Sequence, residues 1–141
     1  RTEMIFAPQL SEHAAGMAYL YNNDNFYLLI KTLVDDGGEV LRLFRSKKGA
    51  NWELLQEIAL DLHERMRLKV ENRALTVRFY HALDAGDWRS VGGEFESGFL
   101  SDEDAPGFTG AHFALYCHDV SGGGHGARFT YFGMETPHMY T

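Results

Sequence analysis

Three stretches of this chain hold side chains that could do chemistry. Cys117-His118-Asp119 sets a thiol, an imidazole and a carboxylate in succession. A nucleophile needs its base within hydrogen-bond reach, but consecutive strand residues point to opposite faces. Cys117 and His118 therefore do not meet on a strand, and Cys117 reads as a small core residue. His112, His118 and His125, with Asp119, supply metal donors. His112 and His118 share a face, but at about 3.3 Å per strand residue they stand about 20 Å apart, too far for one ion. His125, in the turn that follows, can come closer to His118. The expectation is no metal and no cofactor. Asp102-Glu103-Asp104 offers carboxylates for acid–base work. Such groups must flank a substrate, and a consecutive run on a loop is ordinarily solvated. No catalytic residue is expected in this chain.

Two further features invite a ligand. Ser121-Gly122-Gly123-Gly124-His125-Gly126 is glycine-rich. It lacks the Gly-Lys-Ser/Thr ending of a phosphate loop and leads into a strand rather than a helix, so it reads as a hairpin turn. Tyr19, Tyr21, Tyr27, Tyr80 and Tyr116 could stack on a sugar ring if they stood free on a sheet. Core packing with the hydroxyl at the rim is the favoured reading.

The elements that would position these groups are strands. Ala111, Phe113, Leu115 and Cys117 alternate with His112, Ala114, Tyr116 and His118, and Phe129 and Tyr131 alternate with Thr130 and Phe132. A period of two with aromatic residues is a strand pattern. Leu75, Val77 and Phe79 alternate with Thr76, Arg78 and Tyr80. Ala14–Tyr21 is apolar on both faces, and Asn22-Asn23-Asp24-Asn25 turns it into a second strand, Phe26–Val34. Asp35-Asp36-Gly37-Gly38 leads to a third, Glu39–Lys47. Trp88 opens a short strand ending at Gly92-Gly93, and Glu94–Gly107 reads as a loop. The expected core includes Phe113, Leu115, Phe129, Tyr131, Leu75, Val77 and Phe79. Many short strands between turn signals predict an all-β antiparallel sandwich.

Composition sets the outer limits. The chain has 141 residues, one domain's worth. It carries 13 basic and 20 acidic residues, a net charge of -7. Nucleic acid and anionic membranes, which want clustered positive charge, are not expected partners. One cysteine excludes an internal disulfide. There is no apolar run long enough to span a bilayer as a helix and no secretory signal, so a cytoplasmic location is expected, with a secreted one left open because a trimmed chain would look the same. Thr2–Phe6 reads as a strand directly after Arg1, which suggests a domain cut from something larger.

The ordered motifs carry a resemblance. Ala15-Gly16-Met17-Ala18-Tyr19-Leu20-Tyr21-Asn22 with Asn25-Phe26-Tyr27 comes first, then Tyr80-His81-Ala82-Leu83-Asp84 to Trp88 with Val91-Gly92. Phe99-Leu100-Ser101-Asp102-Glu103 follows, then Phe108-Thr109-Gly110-Ala111 and the Cys117-to-Gly122 stretch, then Ala127 to Phe132. Together they resemble the C-terminal accessory β-sandwich of β-xylosidases and related enzymes of glycoside hydrolase family 43. The resemblance implies a concanavalin A-like jelly roll over residues 1–141. It also implies a partner, the catalytic five-bladed propeller of the same protein, which holds the catalytic carboxylates. The parent enzyme would hydrolyse xylosides or arabinosides, with a xylo-oligosaccharide as its carbohydrate ligand.

On the same basis Phe108 would line the outer, leaving-group part of the active-site pocket; a lid on the sandwich core is the equal alternative. A stand-alone carbohydrate-binding module and a structural or homo-oligomerising domain remain open beside the accessory role. The resemblance also decides one segment. Trp52, Leu55, Ile58, Leu62 and Met66 recur at near-helical spacing, whereas the family implies strand, turn and strand. The alternation of Met66, Leu68 and Val70 with Arg67, Lys69 and Glu71 favours the strands. Arg128, Thr130 and Gly133 depart from the family, standing where it tends to carry acids.

Overall fold

The computed structural model describes residues 1–5, 13–22, 24–34, 38–48, 51–60, 65–73, 75–83, 86–97, 112–119 and 128–132. Every regular element among them is a strand: β1 (Thr2–Ile5), β2 (His13–Asn22), β3 (Asn25–Leu33), β4 (Glu39–Ser46), β5 (Glu53–Leu60), β6 (Arg65–Arg73), β7 (Thr76–Leu83), β8 (Arg89–Glu96), β9 (His112–Asp119) and β10 (Arg128–Phe132). They form two five-stranded sheets, all of whose pairings are antiparallel. Sheet I has the order β10-β1-β6-β7-β8, and sheet II the order β5-β4-β3-β2-β9.

Local chemistry sets the hairpins. The Asn22 side-chain oxygen accepts from the backbone N–H of Asp24 and of Asn25, each at 2.9 Å, so the side chain closes the β2–β3 turn in place of backbone. The β2–β3 pairing then tolerates nothing larger than hydrogen at Gly16. A Cβ there would lie 1.9 Å from the Leu29 carbonyl oxygen. Gly92 has φ +75°, a conformation that side chains resist. It lies on β8, close to where the β7–β8 register shifts between Arg78 and Tyr80.

Alternation sends one face of each sheet inward. Ala15, Met17, Tyr19, Tyr27, Leu29, Leu41 and Leu43 of sheet II meet Met4, Met66, Leu68, Val77, Phe79 and Val91 of sheet I in one buried core. The buried Tyr27 phenol crosses between the layers and donates to the Glu96 carbonyl at 2.5 Å. Burial raises its pKa, and hydrogen bonding to Arg45 offsets part of that rise. Lys31, fully buried, lies 3.1 Å from Glu39.

The expected all-β antiparallel sandwich is the fold found, and residues 51–66 contribute β5 and the start of β6 rather than a helix. Val77 and Phe79 are core, and Phe113 packs on it, its ring stacked on Tyr19 with centroids 4.7 Å apart. Other expectations need correction. Leu75 is 46% exposed because it sits in the β6–β7 turn, one repeat before the alternation becomes a strand. Leu115 is 40% exposed although it pairs with core Met17, because β9 has a lateral neighbour on one side only among the described residues. Cys117, two residues on, is exposed for the same reason and is not a core residue. β8 runs on to Glu96, past the glycine pair that reads as its end. β9 and β10 do not form a hairpin: β9 pairs with β2 and β10 with β1, in different sheets. Phe129 and Tyr131 lie on β10, of which the backbone pairing alone is described.

Candidate functional site

The outer faces of the two sheets differ in kind. On sheet I the outward positions of β6, β7 and β8 are largely charged. Arg78 pairs with Glu94 at 3.3 Å and Lys69 with Glu71 at 3.2 Å, and Arg65 on β6 pairs with Glu3 of β1 at 3.3 Å. Trp88 lies against the same face. The Arg67 guanidinium is 4.8 Å, and the Lys69 ammonium 4.7 Å, from its ring centroid. Lys69 is also 4.6 Å from the ring of Tyr80. This is a wet face with cation–aromatic contacts, each worth roughly 0.5–1 kcal/mol at an exposed site.

Sheet II is apolar on its outer face as well. Ala18, Leu28 and Ile30 form a second buried cluster, with Leu20, Phe26, Phe44 and Tyr116 packed around it. At one end of this face Trp52 meets Phe26 edge-on, with centroids 5.3 Å apart, and Phe44 at 5.8 Å. Trp52 is nevertheless 52% exposed, and Leu54 beside it on β5 is 48% exposed. The Arg42–Glu57 and Arg45–Glu53 ion pairs, at 2.7 and 2.5 Å, link β4 to β5 along this edge of the sheet.

The edge strands β5 and β8 border an open cleft of about 630 Å³, lined among others by Ile58, Leu60, His81, Asp87 and Arg89. His81 is buried, and its Nδ1 has no hydrogen-bond partner among the described residues. Burial first, and the charge of Arg89 second, lower its pKa. Both effects favour the neutral imidazole.

The residues singled out from sequence fall unevenly on this frame. Tyr19 and Tyr27 are buried in the core. Tyr21 packs against that core and Tyr116 against the outer cluster of sheet II, so these four serve packing before any sugar. His112 and His118 lie on β9 opposite Leu20 and Ala14. Among the described residues no three His, Cys, Asp or Glu side chains converge. Asp102, Glu103, Asp104, His125 and Phe108 lie outside the described residues. His112 pairs with Leu20, and Leu20 with Phe26, so the chain enters β9 at the end of sheet II that carries Trp52. Sequence reading missed Trp52 and Leu54. The usable signal was the two-faced apolarity of β2 and β3, which a sheet with one solvated face lacks.

Comparison with known proteins fits this geometry. The sequence profile of the beta-xylosidase C-terminal concanavalin A-like domain of glycoside hydrolase family 43 matches residues 1–135. A relative from Escherichia coli (strain K12) is 30% identical over 140 residues, 95% of this chain and 26% of its own length. Xylan 1,3-beta-xylosidase of a Vibrio species is 28% identical over 134 residues, 93% of this chain and 25% of its own length. The crystal structure of xylan beta-1,4-xylosidase from Bacillus halodurans C-125 superposes with a TM-score of 0.79 at 26% identity, over 91% of this chain and 25% of that one. The chain thus spans about a quarter of the length of the relatives it matches. Two apolar layers closed into a sandwich, matched over almost their whole length by one family's profile, place the chain in the beta-xylosidase C-terminal concanavalin A-like domain family of glycoside hydrolase family 43.

Proposed function

We propose that this chain is the accessory domain of a glycosidase acting on xylosides or arabinosides, and that it stabilises the catalytic propeller and shapes the entrance to its active site. One observation carries the reading: the chain corresponds to a quarter of each relative, so three quarters of each of those proteins lie outside the matched domain. The relatives' names differ in linkage, 1,3 in one and 1,4 in another. We assign linkage selection to the catalytic part, and to the accessory domain a wall of the entrance. Phe108 is the residue we assign to that wall. It supplies apolar contact to the leaving-group sugar and takes no part in proton transfer.

The test is kinetic and uses the full-length enzyme. Phe108→Ala should reduce kcat/KM for a disaccharide by roughly 1–3 kcal/mol of lost apolar contact and leave the melting temperature nearly unchanged. If the melting temperature falls instead and disaccharide kinetics stay normal, Phe108 is a core lid and the assignment is wrong. The stand-alone binding reading is weakened by the burial of Tyr19 and Tyr27. Calorimetry with xylobiose and longer xylans would restore it by showing saturable binding to the 141-residue chain.

A further inference from the structure

The corner where β5, β7 and β8 meet is less closed than the rest of the sandwich. β8 joins β7 at Arg89, opposite His81. Beyond that point Ala82 and Leu83 pair with β6 on one side and have no strand on the other among the described residues. Trp88 does not fill the gap, because its ring lies against Arg67 and Lys69, 4.8 and 4.7 Å from its centroid. The cleft of about 630 Å³ that results lies within the roughly 300–1,000 Å³ of small-molecule sites. Its lining is of two kinds. Ile58, Leu60 and Leu83, half-buried against the core, make an apolar wall, and His81, Asp87 and Arg89 supply the polar groups.

His81 is the group that points to a ligand. It is only 6% exposed, and its Nδ1 has no hydrogen-bond partner among the described residues. A hydrogen bond to the Arg89 backbone opposes the lowering of its pKa, as a bond donated by the ring does. Nε2 is that donor, since Nδ1 has no partner, and a neutral imidazole carries one N–H only. Nδ1 is therefore a bare acceptor. A buried acceptor without a donor is costly, and a ligand in the cleft can supply the donor. Arg89, directly across the ladder, leaves the sheet on the same face as His81. Its guanidinium only donates and the exposed Asp87 carboxylate only accepts.

We infer that this cleft binds a sugar of one or two rings, held by His81, Asp87 and Arg89 against the apolar wall of Ile58 and Leu60. Hydroxyl groups both donate and accept, so one sugar can donate to His81 Nδ1 and to Asp87 while accepting from Arg89. A simple anion would satisfy Arg89 alone and be repelled by Asp87, and an apolar ligand would leave all three unmet. The C–H face of a pyranose suits the aliphatic wall. Only the choice of xylose units as the sugar rests on the accessory-domain reading.

Hydrogen–deuterium exchange of the full-length enzyme, read peptide by peptide with xylobiose as the probe, tests this. Saturating xylobiose should slow exchange several-fold in peptides covering residues 57–60 and 81–90. Arg89→Met alters an exposed residue, and His81→Phe keeps a ring while removing the acceptor. Each should abolish that slowing, with circular dichroism and sugar-free exchange unchanged. Absence of any slowing at these two segments overturns the inference, as does slowing that survives both substitutions. Equal slowing by glycerol would reveal an adventitious polyol site, and slowing by glucuronate in place of xylobiose an anion site; either overturns it. The accessory reading is judged separately, by the Phe108→Ala kinetics. No slowing at the cleft of an enzyme that does respond to Phe108→Ala removes the sugar site and leaves that reading standing.

Discussion

Gly16 and His81 show how single atoms constrain this sandwich. At Gly16 the β2 and β3 backbones pair so closely that a methyl group would sit 1.9 Å from the Leu29 carbonyl oxygen. Backbone of a central strand pair has nowhere to retreat, so Gly16→Ala should cost at least the roughly 1–3 kcal/mol of an overpacked core. Urea unfolding checks this, with an unchanged midpoint as the contrary result. His81 makes a pH prediction. Burial and Arg89 hold its folded-state pKa below the ordinary histidine value, so over that interval the unfolded chain binds the extra proton. Stability is then full above the unfolded pKa of about 6.5 and falls as pH drops from there toward the folded pKa, below which this group adds no further slope. His81→Gln should flatten that part of the stability–pH curve. Melting curves across the range, for both proteins, give the difference, and parallel curves would show that His81 is not responsible.

Strands differ in how plainly their sequences announce them. Val77 and Phe79 were readable because β7 has a sheet neighbour on either side and one wet face, so alternation and burial coincide. Residues 51–66 were not readable from periodicity. On β5, an edge strand, Leu54 and Leu55 point to opposite faces, and both being apolar mimics a helical stripe. Leu115 and Cys117 failed for a related reason: a period of two reports which face a residue takes, but not how far across the sheet its strand lies. The β9–β10 connection was misread because a glycine-rich turn between two strands looks alike whether it closes a hairpin or passes between sheets. Gly92, at positive φ with a Cβ position 2.8 Å from the Phe95 ring, carries β8 on past the point where the sequence pattern dissolves. Phe108, assigned from resemblance, shows the same limit at the site: motif order could name the residue but not its surroundings.

The whole molecule is defined by the unequal dress of its two layers, one solvated and one apolar on both sides. That asymmetry was only half legible. The two-faced apolarity of β2 is plain in the sequence, but which strands stand beside it depends on pairings between residues far apart in the chain. Met17, for instance, pairs with Leu29 on one side and with Leu115 on the other. The Phe108→Ala kinetics belong to this scale, since they ask what the domain does to a larger body.

Sheet I has one further property, which concerns time rather than space. β1, the first of the described strands, lies between β6 and β10, the last of them, with Thr2 opposite Phe132 and Ile5 opposite Arg128. Within the domain β1 is made before every other described strand, yet one of its two hydrogen-bonding edges stays vacant until β10 has been made. Until then Thr2–Ile5 is a bare edge, the kind of template that recruits other chains. Pairing of such distant segments is also slow to form. A chain ending at Asp119 should therefore aggregate during expression, and supplying residues 120–141 as a separate peptide should restore soluble material. Soluble, monomeric product without that peptide would show that β1 tolerates an open edge. For this domain β10 is the latch, and a nascent chain is exposed for as long as the latch is unmade.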